Sequence, residues 1–328
     1  MNTKGMLICA LAMLSWSTLI VVTKGILLAQ NLDPWIFTVI QMAAGGIFLI
    51  MIGGRANGAL ASMRSGYTWL YGGLRVFSAC SYSAALLYVS AANAGFFTFL
   101  AIPFSAIATA LLFSRWPTRG ELPGHLSIVL GTAALIAALD GTYSNPAVYL
   151  MVASELGVAL ATIVAELHPS NQSNTPRQTA SLSGVMLLSS ATVMLVMLTL
   201  ASLYTGDTNP QDIMSASSLQ ESFLPRLELA HIWNPHMWLF ATLVGLTFRG
   251  MSMYFSLQAI SLVGGQNYLA TAAILPFMSL ILESMGHTLG WMPESTTTNM
   301  AVVAGAVMAI GSLMLLFSRR HIGKVAKT

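Results

Sequence analysis

Apolar residues run along this chain in long blocks of roughly 20 residues, separated by short polar or charged connections. Blocks of that length cross a bilayer as helices and are too long for strands, so the pattern indicates a helical bundle rather than a barrel. We predict ten spans, at about residues 5–28, 34–53, 67–90, 94–114, 123–140, 147–167, 182–204, 237–260, 266–288 and 298–318. The expected fold is therefore an all-α integral membrane protein.

The composition agrees with this interpretation. Of the 328 residues, 55% are hydrophobic and only 8% are charged, whereas a soluble domain carries about a quarter charged residues. The two cysteines, Cys9 and Cys80, both fall inside predicted spans and indicate neither a disulfide framework nor a metal site. The net charge of +3 gives no evidence of nucleic-acid binding. We expect no cofactor.

One stretch of the chain occurs twice. Gly73, Tyr82, Pro103 and Gly131 recur as Gly245, Tyr254, Pro276 and Gly305, at offsets of 172 to 174 residues. The chain thus divides into two five-helix repeats, at residues 1–141 and 142–328. Because five spans per half is an odd number, the second repeat must run opposite to the first. Inverted repeats of this kind are typical of transporters.

The basic residues predict the orientation. Ten of the 14 Lys and Arg residues fall in connections on one side, only Arg226 falls on the other, and Lys24, Arg75 and Arg249 lie within spans. Because Lys and Arg resist translocation, the first side is cytoplasmic and so are both termini. The longest outer connection, residues 205–236, mixes apolar and charged residues, and we expect part of it to lie along the membrane surface.

Charged residues inside the spans are the first candidates for chemistry, because each costs a few kcal/mol in a bilayer unless it is paired or hydrated. They are Arg249, Arg75, Lys24, Glu155, Glu283 and Glu166, of which Glu166 lies close to the inner interface. One interpretation is a midplane cavity with both signs of charge, suited to a zwitterion or to an anion with a coupled proton. The other is a set of buried ion pairs that hold helices together.

The repeat does not make the two arginines equivalent. Its offset places Arg75 opposite Thr247, two residues before Arg249. Two residues correspond to a rotation of about 200° on a regular helix, so we expect the two side chains to face differently.

Aromatic residues near the middle of spans are candidates for the wall of a cavity. Tyr82 and Tyr254 align between the repeats, and Trp16 lies near the middle of the first span. Their polar atoms need partners in a lipid environment. We predict that these three side chains shape a binding pocket.

Two prolines interrupt spans at matched positions. Pro103 and Pro276 each remove a backbone hydrogen bond, and such breaks at corresponding points of two halves indicate a binding site or a hinge. Phe96 and Phe97, just before Pro103, are candidates for a gate, and packing against lipid is the alternative.

At these residues the chain resembles the ten-helix EamA-type of the drug/metabolite transporter superfamily. Leu14-Ser15-Trp16-Ser17-Thr18, followed by Lys24-Gly25, is similar to the opening pattern of that family. In that family each half also carries a run of small residues, then a proline, then a glycine-containing helix. Ala91–Ala138 and Gly264–Gly311 match this pattern. The resemblance implies a central cavity lined by spans 1, 3, 4, 6, 8 and 9, and a rocking of the two halves.

The chain departs from the family pattern at several positions. A glutamate that often closes the fourth helix of each half is replaced by Arg115 and Thr288. The second helix carries Gln41 where the family often has an arginine, and the connection 205–236 is longer than usual. Because the superfamily transports many kinds of solute, the resemblance does not identify the substrate.

We find no catalytic or metal-binding motif and expect a protein that is not an enzyme. The leading hypothesis is a multi-pass secondary transporter of the bacterial inner membrane, which exports an amino acid or related zwitterion by alternating access. Arg249 or Arg75 would hold a carboxylate, and Glu155 would hold an amine or a coupled proton. An anion exchanger for organophosphates or di-acids, and a flippase for a lipid-linked group, are the alternatives.

Overall fold

The computed structural model of the chain describes residues 3–54, 61–139, 145–168, 175–205 and 232–325. These residues form helices joined by short connections, and no strand occurs among them. The predicted boundary between the repeats at residue 141 lies outside the described residues, as does most of the connection 205–236, from residue 206 to residue 231.

We number the helices in chain order. The first five are α1 (Thr3–Gln30), α2 (Pro34–Gly53), α3 (Gly66–Ala85), α4 (Ala91–Phe113) and α5 (Leu122–Ala138). The next two are α6 (Pro146–Leu167) and α7 (Pro176–Thr205). Helix α8 consists of three consecutive parts, Pro235–Val244, a π turn at Gly245–Arg249, and Gly250–Val263. The last two are α9 (Gly265–Thr288) and α10 (Asn299–Val325).

The all-α membrane class is confirmed. Seven of the described helices are long and apolar enough to cross a membrane, and α5 is a shorter apolar helix. The remaining two, α3 and α8, are less uniform, because α3 carries Arg75 among several small polar residues and α8 is divided by its π turn. The figure of ten membrane spans stays a prediction.

Three helices begin with the same local signal. Asp33, Asn145 and Asn234 each precede a proline, and each side chain accepts hydrogen bonds from backbone N–H groups in the first helical turn. The acceptor satisfies donors that have no partner within the helix, and the proline loses nothing there because its position lacks such a bond. The helices that start this way, α2, α6 and α8, all begin on the predicted outer side.

The third and fourth spans differ from their predicted limits. The third was expected over residues 67–90, but α3 ends at Ala85 and a turn follows. Helix α4 then begins before residue 94, because the Ser90 hydroxyl caps it by accepting a hydrogen bond of 3.0 Å from the N–H of Asn93. A continuous apolar pattern hid this turn, since its residues are as apolar as the helix.

The helices pack in a pattern that relates the two halves. Helix α2 packs against α7, α4 against α9, and α5 against α10, while α1 packs against α8 and α3 against α6. Exchanging each helix of the first half with its counterpart in the second leaves this set of pairs unchanged. Two related five-helix units would pack in this way, and the assignment of inverted repeats itself stays a prediction.

Both prolines lie just after a break in their helix. A 3₁₀ turn at Thr98–Leu100 precedes Pro103 in α4, and another at Ala272–Ile274 precedes Pro276 in α9. The predicted interruptions are therefore present. The two helices also meet closely here, because a side-chain carbon added to Gly95 would lie 2.8 Å from Cα of Pro276. Whether the breaks act as hinges stays a prediction.

Candidate functional site

A central cavity of about 100 Å³ lies between α1, α3, α4, α6, α8 and α9. These six helices are the ones that the family resemblance implies. Each contributes side chains that face the cavity, among them Trp16, Arg75, Tyr82, Thr98, Glu155, Arg249 and Tyr268. The space is enough for several water molecules, but sites for metabolites usually measure about 300 Å³ or more. A larger ligand requires the helices to separate.

The indole of Trp16, which lines this cavity, is held in place by hydrogen bonds. Its Nε1 donates a hydrogen bond of 2.7 Å to Oγ of Ser256, and Ser256 donates one of 2.6 Å to the carbonyl oxygen of Ser252. The hydroxyl of Tyr268 donates to the same Ser256 oxygen at 2.8 Å. The sequence had indicated Trp16, but it did not identify Ser256 or Tyr268 as its support, because serines and tyrosines are common on membrane helices.

Both arginines contact Trp16. The guanidinium carbon of Arg75 lies 5.3 Å from the ring centroid, and that of Arg249 lies 5.2 Å from it. These distances are within the range of cation–π attraction. The expectation that the two side chains face differently was wrong. It assumed a regular helix, whereas Arg249 ends a π turn at Gly245–Arg249, which changes the direction in which the side chain projects.

Arg249 is buried, with 4% of its surface exposed, and an amide anchors it. Its Nε and Nη2 donate hydrogen bonds of 3.0 and 2.6 Å to Oε1 of Gln41 on α2. The amide nitrogen of Gln41 in turn donates to Oγ1 of Thr23 at 3.1 Å. Helices α2 and α8 are close enough for this because Gly45 and Gly245 stand at their contact, where an added side-chain carbon would meet Arg249 and Gln41 respectively.

Several polar atoms at the cavity lack a protein partner. Nη2 of Arg75 donates to the sulfur of Met253 at 3.1 Å, while Nε of Arg75 and the hydroxyl of Tyr82 are buried without a hydrogen bond. Glu155 is 1% exposed. Among the described residues an ion pair is formed elsewhere, and no direct ion pair joins Glu155 to either arginine. The arrangement leaves donors and charges available to a bound solute.

Lys24 and Glu283 form that ion pair, with Nζ of Lys24 2.8 Å from Oε1 of Glu283, and neither lines the central cavity. The Glu283 carboxylate also accepts hydrogen bonds from the N–H groups of Ala91 and Ala92, at 3.1 and 3.3 Å, and from the hydroxyl of Ser295 at 3.1 Å. We call these five residues the outer clasp. It joins α1, α9 and the first turn of α4 on the predicted outer side.

The other predicted site residues do not line the central cavity. The hydroxyl of Tyr254 accepts a hydrogen bond of 3.3 Å from Gln258, one turn further along α8. Phe96 and Phe97 are fully buried, and the Phe96 ring lies edge-on to Phe277 with centroids 5.6 Å apart. Neither phenylalanine, nor Pro103 or Pro276, is among the residues that line the cavity.

A second cavity opens at the end of the bundle that is predicted to be cytoplasmic. It measures about 590 Å³ and has a mixed lining of apolar and polar side chains, the latter including Arg115, Glu166, Gln266 and Asn267. Leu269 on α9 lines both this vestibule and the central cavity. This vestibule therefore lies on the predicted cytoplasmic side of Trp16, and the outer clasp lies on the predicted outer side. Within the described ranges, no cluster of three His, Cys, Asp or Glu side chains could hold a metal ion.

These features define a multi-pass helical membrane protein with a charged internal cavity, an architecture typical of transporters. Residues 3–137 match the EamA-like transporter family, a match that covers less than half of the chain and falls in the first predicted repeat. A solved crystal structure aligns over 98% of this chain and 99% of its own, with a TM-score of 0.55 and 18% sequence identity, and it supports the fold alone. The comparison with curated proteins gives no match.

Proposed function

We propose that this protein is a secondary transporter of small metabolites that bear a carboxylate, with amino acids as the leading class, and that it exports them across the bacterial inner membrane. The observation that carries the proposal is the placement of two guanidinium groups over one indole, Arg75 and Arg249 around Trp16, in a buried cavity that Glu155 also lines.

The chemistry of these groups fits a zwitterion. A guanidinium binds a carboxylate through two parallel hydrogen bonds, and such charge-assisted bonds are stronger than neutral ones. Arg75 has the free donor for this, since its Nε has no hydrogen bond. The Glu155 carboxylate, on α6 of the other half, would accept an ammonium group or a coupled proton. A substrate held in this way connects the two halves.

The closed outer clasp and the vestibule support alternating access. In the form described here the clasp joins α1, α4 and α9 on one side, while the vestibule of about 590 Å³ approaches the cavity from the other. Opening the clasp and closing the vestibule would expose the same arginines to the opposite side. The breaks before Pro103 and Pro276 are candidate hinges for this change.

Anion exchange is the second candidate function. It is favoured by the excess of positive charge, since Arg75 and Arg249 face the cavity with Glu155 as the acidic side chain in its lining. An exchanger for organophosphates or di-acids would require a counter-anion on the opposite side. A proton-coupled amino-acid transporter would instead respond to an imposed pH gradient.

Transport by reconstituted protein tests the proposal. In proteoliposomes supplied with an amino-acid panel, replacing Arg249 or Arg75 with alanine should lower the uptake of the best substrate by about 10- to 100-fold, because hydrogen bonds to charged groups contribute about 1.5–3 kcal/mol. Arg64→Ala is the matched control, since Arg64 is exposed and lies outside the cavity lining. Unchanged uptake of every substrate in both alanine variants would refute the assignment of this site.

A further inference from the structure

Gln41 does not line the central cavity, but it forms hydrogen bonds with Arg249, which does. The side chain is fully buried on α2, with 0% of its surface exposed. Its carbonyl oxygen accepts both hydrogen bonds from Arg249, and its amide nitrogen donates to Thr23, which lines the cavity. Every hydrogen bond of the described structure that fixes the Arg249 guanidinium thus ends at Gln41.

The chemistry of this anchor is unusual for a buried guanidinium. A buried charge is normally paired with an opposite charge, and a carboxylate matches the donor geometry of arginine best. An amide oxygen provides an acceptor at the same position but carries no net charge. Gln41 therefore fixes the orientation of Arg249 and leaves its positive charge available to the cavity.

The charges that face the cavity then do not cancel. Arg75 and Arg249 contribute two positive charges, and Glu155, when ionised, contributes one negative charge. Among the other buried charges of the described residues, Lys24 and Glu283 neutralise each other, and the carboxylates of Asp33 and Glu121 lie outside the lining of the central cavity. In a cavity of low dielectric constant, such an excess charge favours an occupant that balances it.

We propose that Gln41 is a positioning residue that determines the charge class of the substrate. By orienting Arg249 without neutralising it, Gln41 makes the cavity select solutes with a net charge of −1, such as acidic amino acids and monocarboxylates, over neutral zwitterions. This inference rests on the proposed transport function and specifies its substrate class.

A purely structural role for Gln41 leads to a different expectation. If its hydrogen bonds only joined α2 to α8 and α1, substitutions would change the stability of the bundle and affect all substrates alike. A role in charge selection instead changes the order in which substrates of equal size are preferred. The two roles are therefore separated by a ratio of activities rather than by the activity itself.

The experiment compares glutamate with glutamine, which have nearly the same shape and net charges of −1 and 0. Uptake of each is measured in proteoliposomes that contain the full chain, as wild type, Gln41→Glu or Gln41→Met. Wild type should prefer glutamate by about tenfold or more. In Gln41→Glu the new carboxylate would neutralise Arg249, and the ratio should fall by at least about tenfold, because a close charge–charge interaction in a protein exceeds the free energy that corresponds to a tenfold ratio. Gln41→Met removes the anchor without adding charge, so it should weaken both substrates and keep their ratio.

The outcomes are distinguishable. An unchanged ratio in Gln41→Glu refutes the inference and leaves the transport proposal standing. Uptake of neither amino acid by wild type, with no response to the rest of the panel, refutes the transport proposal and the inference together. If Gln41→Glu does not fold, the uptake ratio of the wild-type protein tests the inference. A preference of wild type for glutamine over glutamate would refute it, because that preference is incompatible with an excess positive charge in the cavity.

Discussion

The outer clasp offers the sharpest test of how the protein changes conformation. Both oxygens of Glu283 are occupied, one by Lys24 and the N–H of Ala91, the other by the N–H of Ala92 and the hydroxyl of Ser295. The carboxylate is 1% exposed and the Lys24 side chain 9%. Glu283→Gln keeps the size of the side chain, but it removes the charge and points an NH₂ group at some of these donors. We expect this change to favour the form that is open to the predicted outer side.

The magnitude follows from the burial of the pair. Removing one partner of a buried ion pair costs about 3–5 kcal/mol, because the other charge stays buried without compensation. This cost destabilises mainly the closed form, since opening returns Lys24 to water. At the lower figure the equilibrium shifts toward the open form by about two orders of magnitude. Even a third of that cost would change the population of the open form by several fold.

Cysteine accessibility measures the shift. Ala79 lines the central cavity, and both native cysteines are buried, so Ala79→Cys in a background without Cys9 and Cys80 reports on access from outside. A membrane-impermeant thiol reagent added on the predicted outer side should label this position at least about tenfold faster in Glu283→Gln than in the parent.

Glu294→Gln is the matched control, because Glu294 is an exposed acid near the same end of the bundle. Equal labelling rates in Glu283→Gln and Glu294→Gln would refute the reasoning. Exchange of the charges, Lys24→Glu together with Glu283→Lys, should not restore slow labelling, since a lysine cannot accept the hydrogen bonds from Ala91 and Ala92. Full restoration would mean that the ion pair alone closes this side and that the helix start of α4 plays no part.

Two further predictions concern stability. Gly305→Ala should lower the melting temperature of the purified protein, because the added methyl group would overlap the buried ring of Phe96. Overpacking of this kind costs about 1–3 kcal/mol. Gly73→Ala is the control and should not lower the melting temperature, because no neighbouring atom lies within 4 Å of the added carbon. Burial lowers the pKa of His168, whose ring contacts the hydroxyl of Thr68 at 3.1 Å. Because protonation then favours the unfolded chain, thermal stability should fall as the pH drops below about 6.5, and a His168→Gln variant should show a flatter pH profile. A steeper profile in that variant would contradict the assignment.

The sequence by itself determined the class of fold, the positions of most helices and the charged residues that face the cavity. Long apolar blocks require helices in a bilayer, because the backbone must satisfy its own hydrogen bonds there. Charged residues are costly in such blocks, so Arg75, Arg249 and Glu155 were conspicuous as candidates. The matched prolines also predicted the breaks in α4 and α9, since a proline removes a helical hydrogen bond wherever it stands.

The tertiary structure alone decided which of these residues act together. Sequence spacing could not show that Lys24 pairs with Glu283, because the two residues lie 259 positions apart. It also misjudged Arg249, since the π turn in α8 leaves no periodic signal in the sequence. Gln41 was visible as a polar residue in an apolar block, but its role depends on the direction of Arg249. Direction and distance between helices are set by packing across the whole bundle, and no local pattern of residues contains them.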